Sequence, residues 1–505
     1  MKKAIVVSVL LLAVLLVCAF PLPRISANSQ ITIKGSWTLK NPSWYSVSPA
    51  EATTCSDTPL STVPNGVLQY DNDLINVENV SATGKGVYIA VLDTGLMYNY
   101  ANYLPTANIR TDLAKGFSYT TITWNSTEQD FDLTGFYDTR GFITEYSEAY
   151  TDYGLPLGNG HGTHVTSTLT GFEYVSTRYS QSFFVRGVAP DAYIIPVLVL
   201  DTWIGYVPPG QSVPSGYYLI SGEGSDEMVA AGIRYCGDLA KNMHIKIVLS
   251  MSFGGSQLSP IEKSAIDYAI NEGCILVAAA GNNGYAGMDY PGAYPPVISV
   301  ASAGWTMENI GSGTSPESPP YRWWLSEPPE NLNTPDANGN NFQLYVNDFS
   351  SRPNPALGQS WFDLDVCGPG SWNVGPYGPY GAVSIPGINP GFGYYYLGGT
   401  SMATPHVSGI AALVLQNYCF DQPTMELVLK IAGLSHRMTQ DFHNASALVL
   451  AYQGGGVYAY QTFTWTPWDY GTGFLTADAA MVTARIFSPW QCLNQLGSCG
   501  RGCIS

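Results

Sequence analysis

The 505-residue chain holds 38 acidic and 21 basic residues, a formal charge of −17, which argues against a nucleic-acid partner because phosphate binding needs a basic surface. Its length fits two or three average domains or one enlarged one, and 45% hydrophobic residues are ample material for a large core. Only 12% of residues are charged while Tyr (34) and Trp (12) are abundant, so the surface rests on neutral polar groups that lose little when carboxylates protonate; an acidic or harsh external medium is expected.

From the N-terminus, Lys2-Lys3 followed by the apolar run Ala4–Phe20 has the layout of a secretory signal, with cleavage contexts at Val17-Cys18-Ala19 and Ile25-Ser26-Ala27. Residues 1–27 are assigned to it. The run is at the lower limit for spanning a bilayer, so retention as an anchor is the alternative; both place the rest of the chain outside the cell. Residues 28–56 are polar and turn-rich. Val87-Tyr88-Ile89-Ala90-Val91-Leu92-Asp93-Thr94-Gly95 reads as a strand buried on both faces and closed by a glycine turn, with Asp93 at its carboxyl end, where open α/β sheets carry their ligand sites.

Within the 68 positions from Asp93 to His161, the stretch 128–152 holds Glu128, Asp130, Asp132, Asp138, Glu145, Glu148 and Asp152 against the single cation Arg140. This insertion (near 100–155) reads as a solvated acidic loop or as a structural calcium site, since hard cations want several oxygen ligands; no EF-hand spacing is present. In Asn159-Gly160-His161-Gly162-Thr163-His164-Val165 a histidine lies between glycines before an apolar helix expected over Val165–Phe172. His164 reads as structural, because no glutamate completes a zinc-binding arrangement. Tyr193–Leu200 is a strand, and 201–224, rich in Pro and Gly, a surface insertion. Helices are expected over Ser225–Leu239 and Pro260–Glu272, packing on strands Ile245–Met251 and Cys274–Ala280. The strands end in Ser252-Phe253-Gly254-Gly255 and Gly281-Asn282. Residues 306–347, proline-rich, read as an exposed loop or a small flap, and Asp365 as structural.

Gly398-Gly399-Thr400-Ser401-Met402-Ala403-Thr404-Pro405-His406-Val407-Ser408-Gly409 reads as a glycine turn delivering Ser401 to a helix N-terminus, where free N–H groups and the dipole favour negative charge. Pro405 is expected within the first helical turn, the place where its missing N–H costs nothing.

Together, Asp-Thr-Gly, His-Gly-Thr-His-Val, Ser-Met-Ser-Phe-Gly-Gly, Ala-Ala-Gly-Asn and Gly-Thr-Ser-Met-Ala-Thr-Pro-His-Val resemble the subtilisin-like serine proteases, in the same Asp, His, Ser order. The resemblance runs from about Val63 to Phe487 and includes Asp469-Tyr470-Gly471-Thr472-Gly473 with a helix over Thr476–Ala484. It implies a doubly wound, mostly parallel central sheet with helices on both faces (a catalytic domain over 57–487 with insertions) and a secreted serine endopeptidase acting on polypeptides. Ser401 would be the nucleophile, His161 the general base, Asp93 its orienting carboxylate, and the Asn282 amide with the Ser401 N–H the oxyanion hole. No cofactor is needed for that chemistry. Only about 30 residues precede the domain after the signal, so the inhibitory prodomain usual in secreted relatives is missing or reduced.

The resemblance also places Ser252, Phe253 and Gly254 along one wall of the pocket for the side chain before the scissile bond (the P1 residue, in pocket S1), and Ala279, Ala280 and Gly281 along the other. Asp289, just before Tyr290-Pro291-Gly292, falls at its floor, where a carboxylate would favour Arg or Lys; alternatively the short Asn283–Met288 turns it to solvent. Cys492, Cys499 and Cys503 in the 488–505 tail suit disulfides, whereas Cys236 and Cys274 suit core thiols. Asn79, Asn125 and Asn444 begin glycosylation sequons. Two rivals are an acid-acting sedolisin-like peptidase, which would replace the histidine by Glu, and a silent cell-surface binding protein on a protease scaffold.

Overall fold

The computed structural model describes residues 66–139, 159–176, 181–306, 343–378, 393–435, 445–452 and 458–494, with Glu308 and the short strands Ile33–Ser36, Tyr45–Ser46, Ala52–Thr54, Thr62–Val63 and Ile143–Thr144. The proposed signal, Asn444, Glu145, Glu148, Asp152, Cys499 and Cys503 lie outside these.

The central sheet contains β1 (Tyr88–Asp93), β2 (Lys115–Asn125), β3 (Asp130–Thr139), β4 (Tyr193–Leu198), β5 (Ile247–Met251), β6 (Ile275–Ala279), β7 (Ile298–Trp305), β8 (Leu344–Val346) and β9 (Val366–Pro369). Across it the order is β8-β7-β6-β5-β1-β4-β2-β3, with β9 also against β7. From β7 to β2 the pairing is parallel; β8 and β3 add antiparallel edges. This is the doubly wound α/β sheet expected.

Alternation along each strand feeds two cores. In β1, Ile89 and Val91 face the layer of α1 (His161–Thr170) and α4 (Thr400–Asn417), and Ala90 and Leu92 the layer of α2 (Asp226–Met243) and α3 (Pro260–Asn271). Such strands have no polar face, which is why they read as unbroken apolar runs. Helix α2 starts at Ser225, whose side chain accepts from Met228 N, and α3 at Ser259, which accepts from Glu262 N. Helix α4 is buried from Thr400 to Leu415, so polar groups at its start must be satisfied from within the protein.

Four expectations change. Helix α1 begins at His161, not Val165, and stops at Thr170; Gly171, at φ +81°, turns the chain into a strand, and a Cβ there would lie 2.2 Å from Val185 O. The 100–155 insertion is ordered over β2 and β3, a hairpin whose buried Phe117, Tyr119 and Phe131 anchor it to the second core. Residues 201–224 are likewise a hairpin, Asp201–Val207 with Gly216–Gly224, the prolines lying between its strands. The third insertion returns as the buried edge strand β8. The N-terminal segment pairs with later strands: Tyr45–Ser46 runs antiparallel to Glu223–Gly224, and Ala52–Thr54 antiparallel to Tyr395–Leu397 in the strand Gly393–Leu397.

Cys236, Cys274, Cys367 and Cys419 are free thiols, the first three buried. Asp365 accepts from Ser299 N (2.7 Å) and pairs with Lys430 (2.5 Å), tying β9 and β7 to the helix Gln422–Ser435.

Glu262 is fully buried in the first turn of α3, and burial pushes its carboxyl up to about 8. The folded state therefore holds a proton that the unfolded chain gives up, so this group's stabilising contribution is complete below about pH 4.5 and lost as pH rises through about 8. Glu262→Gln should flatten the wild-type fall in unfolding free energy across that window by a few kcal/mol, read from urea titrations at several pH values. Identical pH slopes in the two proteins would refute it.

Candidate active site

Asp93 ends β1 with no solvent exposure and accepts from Thr94 N at 2.7 Å. His161 opens α1, its Nδ1 2.9 and 3.0 Å from the two Asp93 oxygens. A carboxylate only accepts, so Nδ1 carries the proton and Nε2 of the neutral ring keeps its lone pair. The backbone around this pair is tied down: His161 N donates to Asn159 Oδ1, Thr94 Oγ1 donates to Asn159 O, and Gly162 N donates to Thr94 Oγ1, each at 2.9 Å. Gly162 is required, because a Cβ there would stand 2.3 Å from Gly95 O.

Ser401 lies in the first turn of α4, only 5% exposed. The helix starts at Thr400, which puts Pro405 in its second turn rather than its first. A residue with an N–H there would donate to Ser401 O; instead Ser252 Oγ donates to that carbonyl at 2.8 Å, so proline leaves no unsatisfied acceptor. In return the Ser401 hydroxyl donates to Ser252 O at 2.9 Å, not to His161. Asn282 Oδ1 accepts from Thr400 N (2.9 Å) and Thr400 Oγ1 (3.0 Å), which fixes the amide and leaves the Nδ2 hydrogens free of that contact.

Ser401 and Asn282 line a common cavity of about 210 Å3 with Phe253, Gly254, Gly281 and Asp289. Ser252 and Ala280 do not line it. Ala280 is a fully buried core residue whose N–H bonds Val300 O, so Ala279 lines the wall in its place; Ser252 stands behind Ser401. Phe349 and Thr400 line it too and were not singled out: Phe349 follows the irregular third insertion, and Thr400 reads as a neighbour of Ser401 although its hydroxyl positions Asn282.

His164 is buried with Nε2 3.2 Å from Asn373 O, and burial takes its pKa down to about 3, so it is neutral and structural. Among the described residues no three His, Cys, Asp or Glu side chains gather as a metal site would require.

Residues 84–447 match the family model described as "Subtilase family". The chain belongs to the subtilase family. A protein named Subtilisin, from Bacillus sp. (strain TA39), is 30% identical over 354 residues, covering 69% of this chain and 60% of its own. Subtilisin E of Bacillus subtilis (strain 168) is 26% identical over 360 residues, 70% of this subtilase and 62% of the relative. This subtilase thus spans less than two thirds of the length of these relatives. The solved structure of Sphericase aligns over 81% of this chain and 97% of its own, with 24% identity and a TM-score of 0.47.

Gly281 has φ +103°, and a Cβ there would lie 2.4 Å from Asp289 Oδ2 and 2.9 Å from Ser351 Oγ. Gly281→Ala should therefore cost this subtilase about 1–3 kcal/mol of stability by urea denaturation. A midpoint unchanged from wild type would show that the wall tolerates a methyl group.

Proposed function

We propose that this subtilase is an exported serine endopeptidase that hydrolyses polypeptides. The observation that carries the reading is His161 Nδ1 held by both oxygens of buried Asp93, at the carboxyl ends of the parallel strands that also lead to Asn282 and to Ser252, the partner of Ser401. Ser401 Oγ turns from Ser252 O to His161 Nε2, gives up its proton there and attacks the scissile carbonyl. The imidazolium so formed is stabilised by Asp93 and returns the proton to the leaving amine, and water repeats the cycle on the acyl-enzyme.

The developing oxyanion takes two donors. One is Asn282 Nδ2, aimed by the two Thr400 hydrogen bonds. The other is the Ser401 N–H: within the first turn, Thr400 N is taken by Asn282 and Met402 N by Gly399 O, leaving Ser401 N at the positive end of the helix. Export rests on the basic and apolar N-terminal layout. A sedolisin-like acid mechanism has no support in a site whose base is a histidine paired with Asp93.

Purified full-length protein should turn over casein and be labelled at Ser401 by a fluorophosphonate, with labelling lost in His161→Ala. Asn282→Ala should lower kcat by roughly 100- to 1,000-fold with little change in KM, the usual cost of removing one oxyanion donor, a figure that itself comes from subtilisin. Labelling that persists in His161→Ala, or an unchanged kcat in Asn282→Ala, would remove these assignments.

A further inference from the structure

The cavity beside Ser401 has one charged group in its lining, and it is a carboxylate. Asp289 is held on both sides of its backbone. Its N–H donates to Ala280 O (2.9 Å), and the next residue exchanges two hydrogen bonds with Gly255, Tyr290 N to Gly255 O (2.7 Å) and Gly255 N to Tyr290 O (2.9 Å). The residue is therefore clamped between the two segments that form the cavity walls. Its side chain enters through space that only glycines leave open: a Cβ on Gly254 would lie 2.5 Å from Asp289 Cβ, and one on Gly281 2.4 Å from Oδ2.

The two oxygens differ. Asn283 Nδ2 donates to Oδ1 at 2.8 Å, which fixes the plane of the carboxylate. Oδ2 points between the two glycines, and no cation pairs with Asp289 among the described residues. A half-buried carboxylate without a countercharge, in a cavity shared with the nucleophile, is incomplete until a cation arrives.

We propose that Asp289 makes this cavity a receptor for a cationic side chain, so that the enzyme cleaves after Arg or Lys. The inference rests on the serine-protease reading for what the cavity receives. The aliphatic stem of Arg or Lys lies along Phe253 and Ala279, and the charged head reaches Oδ2, with the second lone pair of Oδ1 open to a guanidinium fork. An apolar P1 side chain would instead seal the carboxylate from water without a partner and is selected against. With only 21 Lys and Arg in 505 residues, such a preference also leaves the enzyme few sites for cutting itself.

The preference is set by pH. Burial pushes the Asp289 carboxyl up to about 6, with the Asn283 hydrogen bond opposing it. Above that pH the floor is anionic; below it the floor is neutral and cationic P1 residues lose their partner. Besides Asn283, Ser351 from the next element faces the same space through its hydroxyl and does not titrate there. His161 affects the hydrolysis of every substrate, so the ratio of two substrates at one pH isolates the floor.

The test is kcat/KM of the full-length enzyme for two peptide amides differing only in P1, Arg or Leu, from pH 5 to 8, in wild type and Asp289→Asn. The Arg:Leu ratio should rise about tenfold across that range with a midpoint near 6, and Asp289→Asn should lower it roughly 100-fold at pH 8 and flatten it. In parallel, 4-aminobenzamidine binding is measured by fluorescence to Ser401→Ala with and without Asp289→Asn, which reads the cavity without chemistry. Hydrolysis of both peptides at a ratio indifferent to pH and to Asp289→Asn would overturn the inference while leaving the protease reading intact. Asp289-dependent binding of the amidine without any hydrolysis would sustain the cationic pocket and overturn the protease reading.

Discussion

Helix α4 begins in the middle of the protein, and most of the site's architecture answers that constraint. A helix start leaves amides without intrahelical partners, and here the whole first turn is buried. Asn282 takes Thr400 N, Gly399 O takes Met402 N, and what is left over is the Ser401 N–H. Pro405 releases the Ser401 carbonyl from the helix ladder and Ser252 Oγ claims it. The reciprocal Ser401–Ser252 pair thereby fastens α4 to the end of β5. The groups that satisfy the buried helix start are the ones that aim the serine and the amide.

The parallel sheet supplies the other half. Because β1, β5 and β6 run in the same direction, Asp93, Ser252 and, three residues past β6, Asn282 emerge at the carboxyl ends of the strands without long loops having to carry them there. Glycine then sets how closely the segments approach. Gly162 lets α1 start against Gly95 O, so that His161 sits on both Asp93 oxygens, and Gly254 and Gly281 admit the Asp289 side chain. A Cβ at Gly162, Gly254 or Gly281 would lie 2.3, 2.5 or 2.4 Å from a neighbouring heavy atom, so the packing there would have to shift.

Charge placement explains how an acidic protein holds together. Burial raises the carboxyls of Asp201, Glu223, Glu262 and Asp289, so each binds its proton more tightly when folded. Asp112, Asp138 and Asp267 are held below their usual range by Arg110, Lys115 and Lys263, and these pairs lie at or near the surface, where solvent screening limits what their loss costs. Acidification therefore relieves the mutual repulsion of a chain at −17 and discharges buried groups that prefer to be neutral; against this it removes the exposed pairs and also buried ones such as Asp365–Lys430 and Arg352–Asp469. The few charges and many tyrosines in the composition point the same way. The proposed chemistry would part company with the fold here, since a histidine base works only when unprotonated.

The sheet and the segments that carry Asp93, His161 and Ser401 were legible because both depend on local sequence. A parallel strand buried on two faces must be an apolar run, and its exit into a tight turn must be glycine, as in Leu92-Asp93-Thr94-Gly95. The insertions were not: Phe117, Tyr119 and Phe131 alternate with polar residues as an edge hairpin should, but the carboxylates between them dominate the reading. Pro405 misled because its tolerance comes from Ser252, a residue 149 positions from Ser401 whose hydroxyl is invisible to helix rules. Asp289 shows the same limit from the other side. Its place before Tyr290-Pro291-Gly292 fixes the turn, yet whether the carboxylate meets solvent or substrate depends on two distant glycine walls and on which oxygen Asn283 takes. Local rules say where a functional group stands along the chain; the packing around it determines the direction in which it acts.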